Sequence, residues 1–267
     1  MHRRISRLLA AALPVLATVG MLASPAGAAT PTYDSTTHYV AMGDSYSAGL
    51  GAANPTLPCG QSTQGYPTLW AQDHGIASFT DVTCSGAVSD DVLTKQLPAL
   101  NAQTDVVTIT IGGNDVGLGQ QVSTCLSGGD QVCSQTVQQF KADLPTYLAK
   151  IDQTYAAIRQ AAPNAKVYVL GYPHLFEPSP ICWDLAPSLA ARITLNDGND
   201  ALNNGLAQHA TQAGFTFVDV RQAFSGRSDC SFLPSWINPT LNLLAPLHPT
   251  ADGYKYGYFA TLKSVTG

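Results

Sequence analysis

Four short blocks of the chain carry side chains suited to nucleophilic acyl chemistry. In the first, Gly43-Asp44-Ser45, a serine follows an apolar run and precedes a glycine-containing turn through Gly49 and Gly51. A serine at a strand-to-helix turn projects its hydroxyl while its own N–H faces the same point, and the helix start favours developing negative charge. An ordinary helix-capping serine is the competing reading. In the second, Cys84-Ser85-Gly86-Ala87, Gly86 offers an unhindered N–H, though turn glycines are common. In the third, Gly112-Gly113-Asn114-Asp115, the Asn114 amide can donate to an oxyanion where a carboxylate would repel it. Asp115 is suited to hold that loop or cap the next segment. In the fourth, Pro249 follows His248 and suits a first helical position, which fixes the backbone beside the imidazole. A hydroxyl, an imidazole and hydrogen donors are the parts of a serine acyl-transfer site, in which Ser45 is the candidate nucleophile and His248 the candidate base, although a histidine taken alone is more often a surface or capping residue. His174 also follows an apolar run and is the rival base, whereas His38, His74 and His209 read as structural.

These blocks need elements to hold them. Strands are expected at 38–42, 78–83, 105–111, 166–170 and 215–220, and the β-branched third run suits a parallel strand buried on both faces. Helical patterns are expected at 66–74, 90–96, 134–162 (bent or broken at Pro145), 188–213 and 250–265. Alternation of this kind predicts an α/β fold with a mostly parallel sheet, in which ligands lie beyond the carboxyl ends of the strands. Ser45, Gly86, Asn114 and His248 all fall after apolar runs or in late loops, as such a site requires. Tyr46, Leu50, Leu118, Tyr172, Pro173, Phe176 and Trp236 are candidates to line an acyl pocket, although core packing is the plainer reading for each.

Composition narrows the class further. Arg3, Arg4 and Arg7, an apolar run and Ala26-Gly27-Ala28 read as a signal peptide over 1–28, leaving one domain at 29–267. The 13 basic residues, three of them in that leader, face 18 acidic ones, so nucleic acid is not an expected partner. The leader is expected to be removed, with no stable membrane insertion, and the product to be secreted as a monomer. An even count of six cysteines in an exported chain implies three disulfides, but spacing alone leaves the pairing open. Without a C-x-x-C pair or a phosphate-loop lysine, neither a metal nor an organic cofactor is expected.

Gly43-Asp44-Ser45-Tyr46, Gly86, Gly112-Gly113-Asn114-Asp115 and His248-Pro249-Thr250 occur in the order of the SGNH (GDSL-type) hydrolase motifs. From Tyr39 to Tyr254 the chain resembles that family, and most of all its secreted actinomycete esterase, lipase and phospholipase A1 members. The resemblance implies a flavodoxin-like three-layer α/β/α sandwich and disulfides Cys59–Cys84, Cys125–Cys133 and Cys182–Cys230. It implies Ser45 as nucleophile and His248 as base. The oxyanion hole it implies is formed by the N–H groups of Ser45 and Gly86 and the Asn114 side chain. The family's usual Asp three residues before the histidine is here Ala245. A main-chain carbonyl near Ala245 or Pro246 is therefore expected to orient His248. Lipid or small soluble esters are the expected substrates. A polysaccharide deacetylase-type esterase and a silent secreted binding module of the same fold are the alternatives.

Overall fold

A computed structural model describes residues 32–267, so the expected leader lies outside the described residues. The sheet consists of β1 (His38–Gly43), β2 (Ser78–Asp81), β3 (Val106–Thr110), β4 (Lys166–Leu170) and β5 (Thr216–Val218). All pairings are parallel, in the order β2-β1-β3-β4-β5. This is the flavodoxin-like order, in which the connections diverge between β1 and β3 and leave a crevice at their carboxyl ends. β3 is buried along its whole length and β1 everywhere except His38. The edge strand β2 alternates between exposed and half-buried residues, as one-sided packing demands.

Helices cover the sheet on both sides. After α1 (Ser45–Ala48), α2 (Tyr66–Asp73) packs against the carboxyl-terminal segment. That segment opens as a π turn, Gly253–Phe259, and ends as α6 (Ala260–Thr266). On the other side, α3 (Ser89–Asp91) runs into a π turn, Val92–Gln96, and a 3₁₀ turn, Leu97–Ala99, beside α4 (Leu118–Ala161) and α5 (Leu189–Gln212). In α4, Val137, Phe140, Leu144, Leu148, Ile151, Tyr155 and Ile158 recur every three or four residues and turn one apolar stripe into the core.

Two sequence expectations for α4 are corrected. The helix starts at Leu118 rather than 134, and it is two helical pieces meeting at Gly129 (φ 74°, ψ 177°). The Gly128-Gly129 pair and the polar residues around it hid the first piece. Pro145 does not break the second piece, because it lies on the exposed side, where water can take the carbonyl it frees. The disulfides are Cys59–Cys84, Cys125–Cys133 and Cys182–Cys230, as the family resemblance implied. Cys125–Cys133 spans the Gly129 kink, and Cys182–Cys230 joins the loops that follow β4 and β5.

Candidate active site

Where β1 ends, the chain turns sharply into α1. Gly43 adopts φ +115°, and a Cβ there would lie 2.2 Å from the Thr110 carbonyl oxygen, so only glycine fits this approach to β3. Asp44, not Ser45, caps α1: its carboxylate accepts from the Tyr46 N–H at 2.9 Å. Ser45 is therefore the first helical residue. The turn is tied to β3 by the Asp44 N–H on the Thr110 carbonyl (2.9 Å) and by the Thr110 N–H on Ser47 Oγ (2.8 Å). Gln96 adds a two-point clamp on Gly43: its Oε1 accepts from the Gly43 N–H at 2.7 Å and its Nε2 donates to the Gly43 carbonyl at 2.9 Å.

The His248 ring meets Ser45 across 203 residues of sequence, with Nε2 2.7 Å from Ser45 Oγ. Its Nδ1 lies 2.9 Å from the Pro246 carbonyl oxygen. A carbonyl only accepts, so Nδ1 carries the proton and Nε2 presents its lone pair to the serine hydroxyl. Of the two carbonyls expected near this ring, Pro246 supplies the contact. Ala245 does not, because its carbonyl accepts the His248 backbone N–H at 3.3 Å. Burial pushes the His248 pKa down to about 4, against the smaller opposing effect of the Pro246 carbonyl. The imidazole is thus neutral, and able to take a proton, at neutral pH.

The loop that carries His248 is held from several sides. Leu247 takes a left-handed backbone (φ 60°), and its carbonyl accepts from the Tyr46 hydroxyl at 2.7 Å. Tyr46 also lays its ring against the imidazole, centroid to centroid 4.8 Å. The Asn238 backbone N–H donates to the His248 carbonyl at 2.8 Å, and its side chain reaches the carbonyls of His248 and Gly51 at 3.1 Å each. Gly51 (φ +99°) permits this closeness, since a Cβ there would sit 2.5 Å from the Pro249 carbonyl oxygen. Gln96 and Asn238 are positioning residues that motif spacing did not reveal, because amide side chains clamping a distant backbone leave no local pattern.

The third block, after β3, faces the same crevice. Asn114 Nδ2 donates to the Ala87 carbonyl at 2.9 Å, which joins this turn to the Gly86 turn and leaves the second amide hydrogen for another acceptor. Among the described residues, no hydrogen-bond acceptor meets the N–H of Ser45 or of Gly86. Asp115 caps α3, accepting the Ser89 N–H at 3.1 Å from both carboxylate oxygens. Tyr172, just beyond β4, bridges two turns: its hydroxyl donates to Asp44 Oδ2 at 2.5 Å and accepts from the Gly113 N–H at 2.8 Å. Burial raises the Asp44 pKa to about 7 despite the hydrogen bonds from Tyr172 and Tyr46. His174, the rival base, pairs with Asp200 at 2.8 Å and does not line this crevice.

Ser45, His248 and Asn114 open onto a cavity of about 280 Å³. Its apolar wall comes from Leu118, Val122 and Leu126, spaced four residues apart on the first piece of α4, together with Leu175. Gly86 lines a neighbouring recess with Cys84 and Ala87. Of the residues expected to line an acyl pocket, Tyr46, Leu118 and Tyr172 do so, whereas Leu50, Pro173, Phe176 and Trp236 do not. Phe176 is fully buried, and Trp236 packs edge-on against Phe224. Val122 and Leu126 escaped sequence reasoning because the helix that aligns them was not expected to begin before residue 134.

A parallel α/β sheet whose crevice joins a serine hydroxyl, a neutral imidazole and an apolar cavity defines a class, the serine ester hydrolases. The GDSL-like Lipase/Acylhydrolase family matches residues 41–256, and the chain belongs to that family. It is 39% identical to a lipase of Streptomyces rimosus over 98% of this chain and 100% of that one. The crystal structure of the extracellular lipase from Streptomyces rimosus superposes with a TM-score of 0.82 at 40% identity, covering 86% of this chain and all of that one. Phospholipase A1 from Streptomyces albidoflavus superposes equally well, with a TM-score of 0.82 at 36% identity, over 86% of this chain and 99% of that chain. The substrates of the family are esters. Three disulfides fit an oxidising compartment, and among the described residues no helix is long and apolar enough to cross a membrane.

Proposed function

We propose that the chain is a secreted, monomeric hydrolase of fatty-acyl esters in which Ser45 is the nucleophile and His248 the general base. The observation that carries this reading is the line from the Pro246 carbonyl through His248 to Ser45 Oγ, with contacts of 2.9 and 2.7 Å, at the head of an apolar cavity. Export after removal of residues 1–28 accords with the disulfides.

In acylation, Nε2 of His248 takes the hydroxyl proton as Ser45 Oγ attacks the ester carbonyl carbon. The carbonyl oxygen becomes an oxyanion facing the N–H groups of Ser45 and Gly86 and the free Asn114 amide hydrogen. Preorganised donors of this kind are worth about 3 kcal/mol each in related systems. The imidazolium then protonates the leaving alkoxide as the carbon–oxygen bond breaks, and an alcohol departs. Water repeats the sequence on the acyl-enzyme, with His248 again as base, and releases the acid. The Pro246 carbonyl holds the ring and its tautomer, and it supports the transient imidazolium through one neutral hydrogen bond instead of a carboxylate.

Leu118, Val122 and Leu126 beside Ser45 favour an acyl chain longer than acetyl, which argues against a polysaccharide deacetylase. The relatives named lipase and phospholipase A1 support lipid esters as the natural class. In the Ser45→Ala variant, hydrolysis of p-nitrophenyl butyrate and of dispersed phosphatidylcholine is expected to fall at least about 10³-fold with little change in thermal stability. Full activity in that variant refutes the assignment.

A further inference from the structure

The most exposed large apolar side chains are concentrated on two loops. Five of those described are at least three-quarters exposed, and four of the five, Trp183 (84%), Phe232 (75%), Leu243 (97%) and Leu244 (83%), lie on the loops after β4 and β5. A lone exposed leucine needs no explanation, but four such side chains on one pair of loops do. The two loops form one connected structure. The Cys182–Cys230 disulfide joins them, and a parallel bridge pairs Phe176 with Asp229. They leave the carboxyl edge of the sheet, where the cavity opens. Leu243 and Leu244 are followed directly by Ala245, Pro246, Leu247 and His248, three of which line that cavity.

The charge pattern on these loops is equally uneven. Residues 231–250 contain no Asp, Glu, Lys or Arg, and residues 178–187 contain only Asp184. An uncharged apolar rim gains nothing from an anionic surface and loses no ionic hydration at a neutral one. A second copy of the chain seated here would lie over the Pro246–His248 side of the mouth and obstruct entry of substrate.

From these observations we propose that the loops after β4 and β5 form a docking rim for the surface of an electrically neutral lipid aggregate. The proposal rests on the ester-hydrolase reading and specifies the phase in which the substrate is met. Leu243, Leu244, Trp183 and Phe232 enter the lipid surface reversibly. The acyl chain then passes from the aggregate into the cavity along Leu118 and Leu175 without crossing bulk water. None of the four rim residues lines the cavity, so hydrolysis of a dissolved ester does not depend on them.

Flotation of the full chain with dioleoyl phosphatidylcholine vesicles tests this, with Ser45→Ala as the background so that lipid is bound and not consumed. The Ser45→Ala protein is expected to float, with little dependence on salt. Adding Leu243→Ser and Leu244→Ser is expected to weaken partitioning at least about tenfold, and Trp183→Ser to weaken it from the other loop. With Ser45 intact, the paired leucine variant should keep kcat/KM on dissolved p-nitrophenyl butyrate, which also shows that it folds, and lose activity on phosphatidylcholine vesicles. Equal flotation with and without the leucines, or no flotation of the Ser45→Ala protein, overturns the proposal. So does binding that requires phosphatidylglycerol in the vesicles, or a dimer in solution that Leu243→Ser dissociates. Leucine-dependent flotation combined with no hydrolysis of any ester by the protein with Ser45 intact supports the rim and refutes the hydrolase reading, so the two failures are distinct.

Discussion

Tyr172→Phe is the most informative single change, because one hydroxyl joins the turn that carries Ser45 to the turn that carries Asn114. The substitution keeps the buried ring and removes only the atom that meets Asp44 Oδ2 at 2.5 Å and the Gly113 N–H at 2.8 Å. Each of the two groups left unpaired in the interior costs about 1–3 kcal/mol, so global stability should fall by about 2–6 kcal/mol. Gly113 immediately precedes Asn114, and release of its N–H lets the amide drift from the place proposed for it beside the oxyanion. A displacement of order 1 Å at a reacting group costs up to about 10²-fold, so kcat should fall about 10–100-fold while KM for p-nitrophenyl butyrate stays within about twofold. The Asp44 carboxyl supplies a second readout. Its folded-state pKa, near 7, lies above its unfolded value, so its contribution to stability is full at acid pH and is lost as pH rises through that range. Removing the phenol donor raises this pKa further. Denaturation midpoints measured between about pH 5 and pH 8 should therefore drop more steeply in the variant than in the parent. A rise in KM with unchanged kcat, or an unaltered pH slope, refutes the idea that Tyr172 couples the two turns.

Other expectations concern the base and the cavity. Because burial holds His248 neutral down to about pH 4, the acid limb of kcat/KM should lie well below the ordinary histidine value near 6.5. A pH–rate profile on a soluble ester checks this, and a limb at or above that value contradicts the buried-imidazole account. Val122→Trp places a large ring in the wall of the cavity beside Ser45. A p-nitrophenyl ester series should show kcat/KM for decanoate falling by about tenfold or more, while acetate changes less than about threefold. A uniform loss across chain lengths would remove Val122 from the acyl wall.

The sequence was most legible where local chemistry dictates local structure. The β-branched run of β3, the glycine turn before Ser45 and the helix over 188–213 follow from side-chain sterics and capping, and the observed elements agree within a few residues. The serine and histidine blocks could be read because their residue types constrain the backbone around them. What sequence could not supply were contacts across long separations. Gln96 grips Gly43 from 53 residues away, and the Tyr172 hydroxyl reaches Asp44 across 128 residues. The start of α4 was hidden because Gly128 and Gly129 weaken the helical pattern, while the disulfide across the kink restores order that propensity lacks. Spacing gave no choice between the carbonyls of Ala245 and Pro246. In the structure the Pro246 carbonyl meets Nδ1, the Ala245 carbonyl takes the His248 backbone N–H, and Leu247 between them has a left-handed backbone, rare for a bulky residue.

The pairing of Ser45 with His248 is tested most directly by covalent labelling with a fluorophosphonate, read by mass spectrometry of the intact protein and its peptides. The account predicts one adduct per chain, located on Ser45, absent in Ser45→Ala, and formed at least about 10³-fold more slowly in His248→Ala. An adduct on any other residue, or labelling of Ser45 at an unchanged rate without His248, would contradict it.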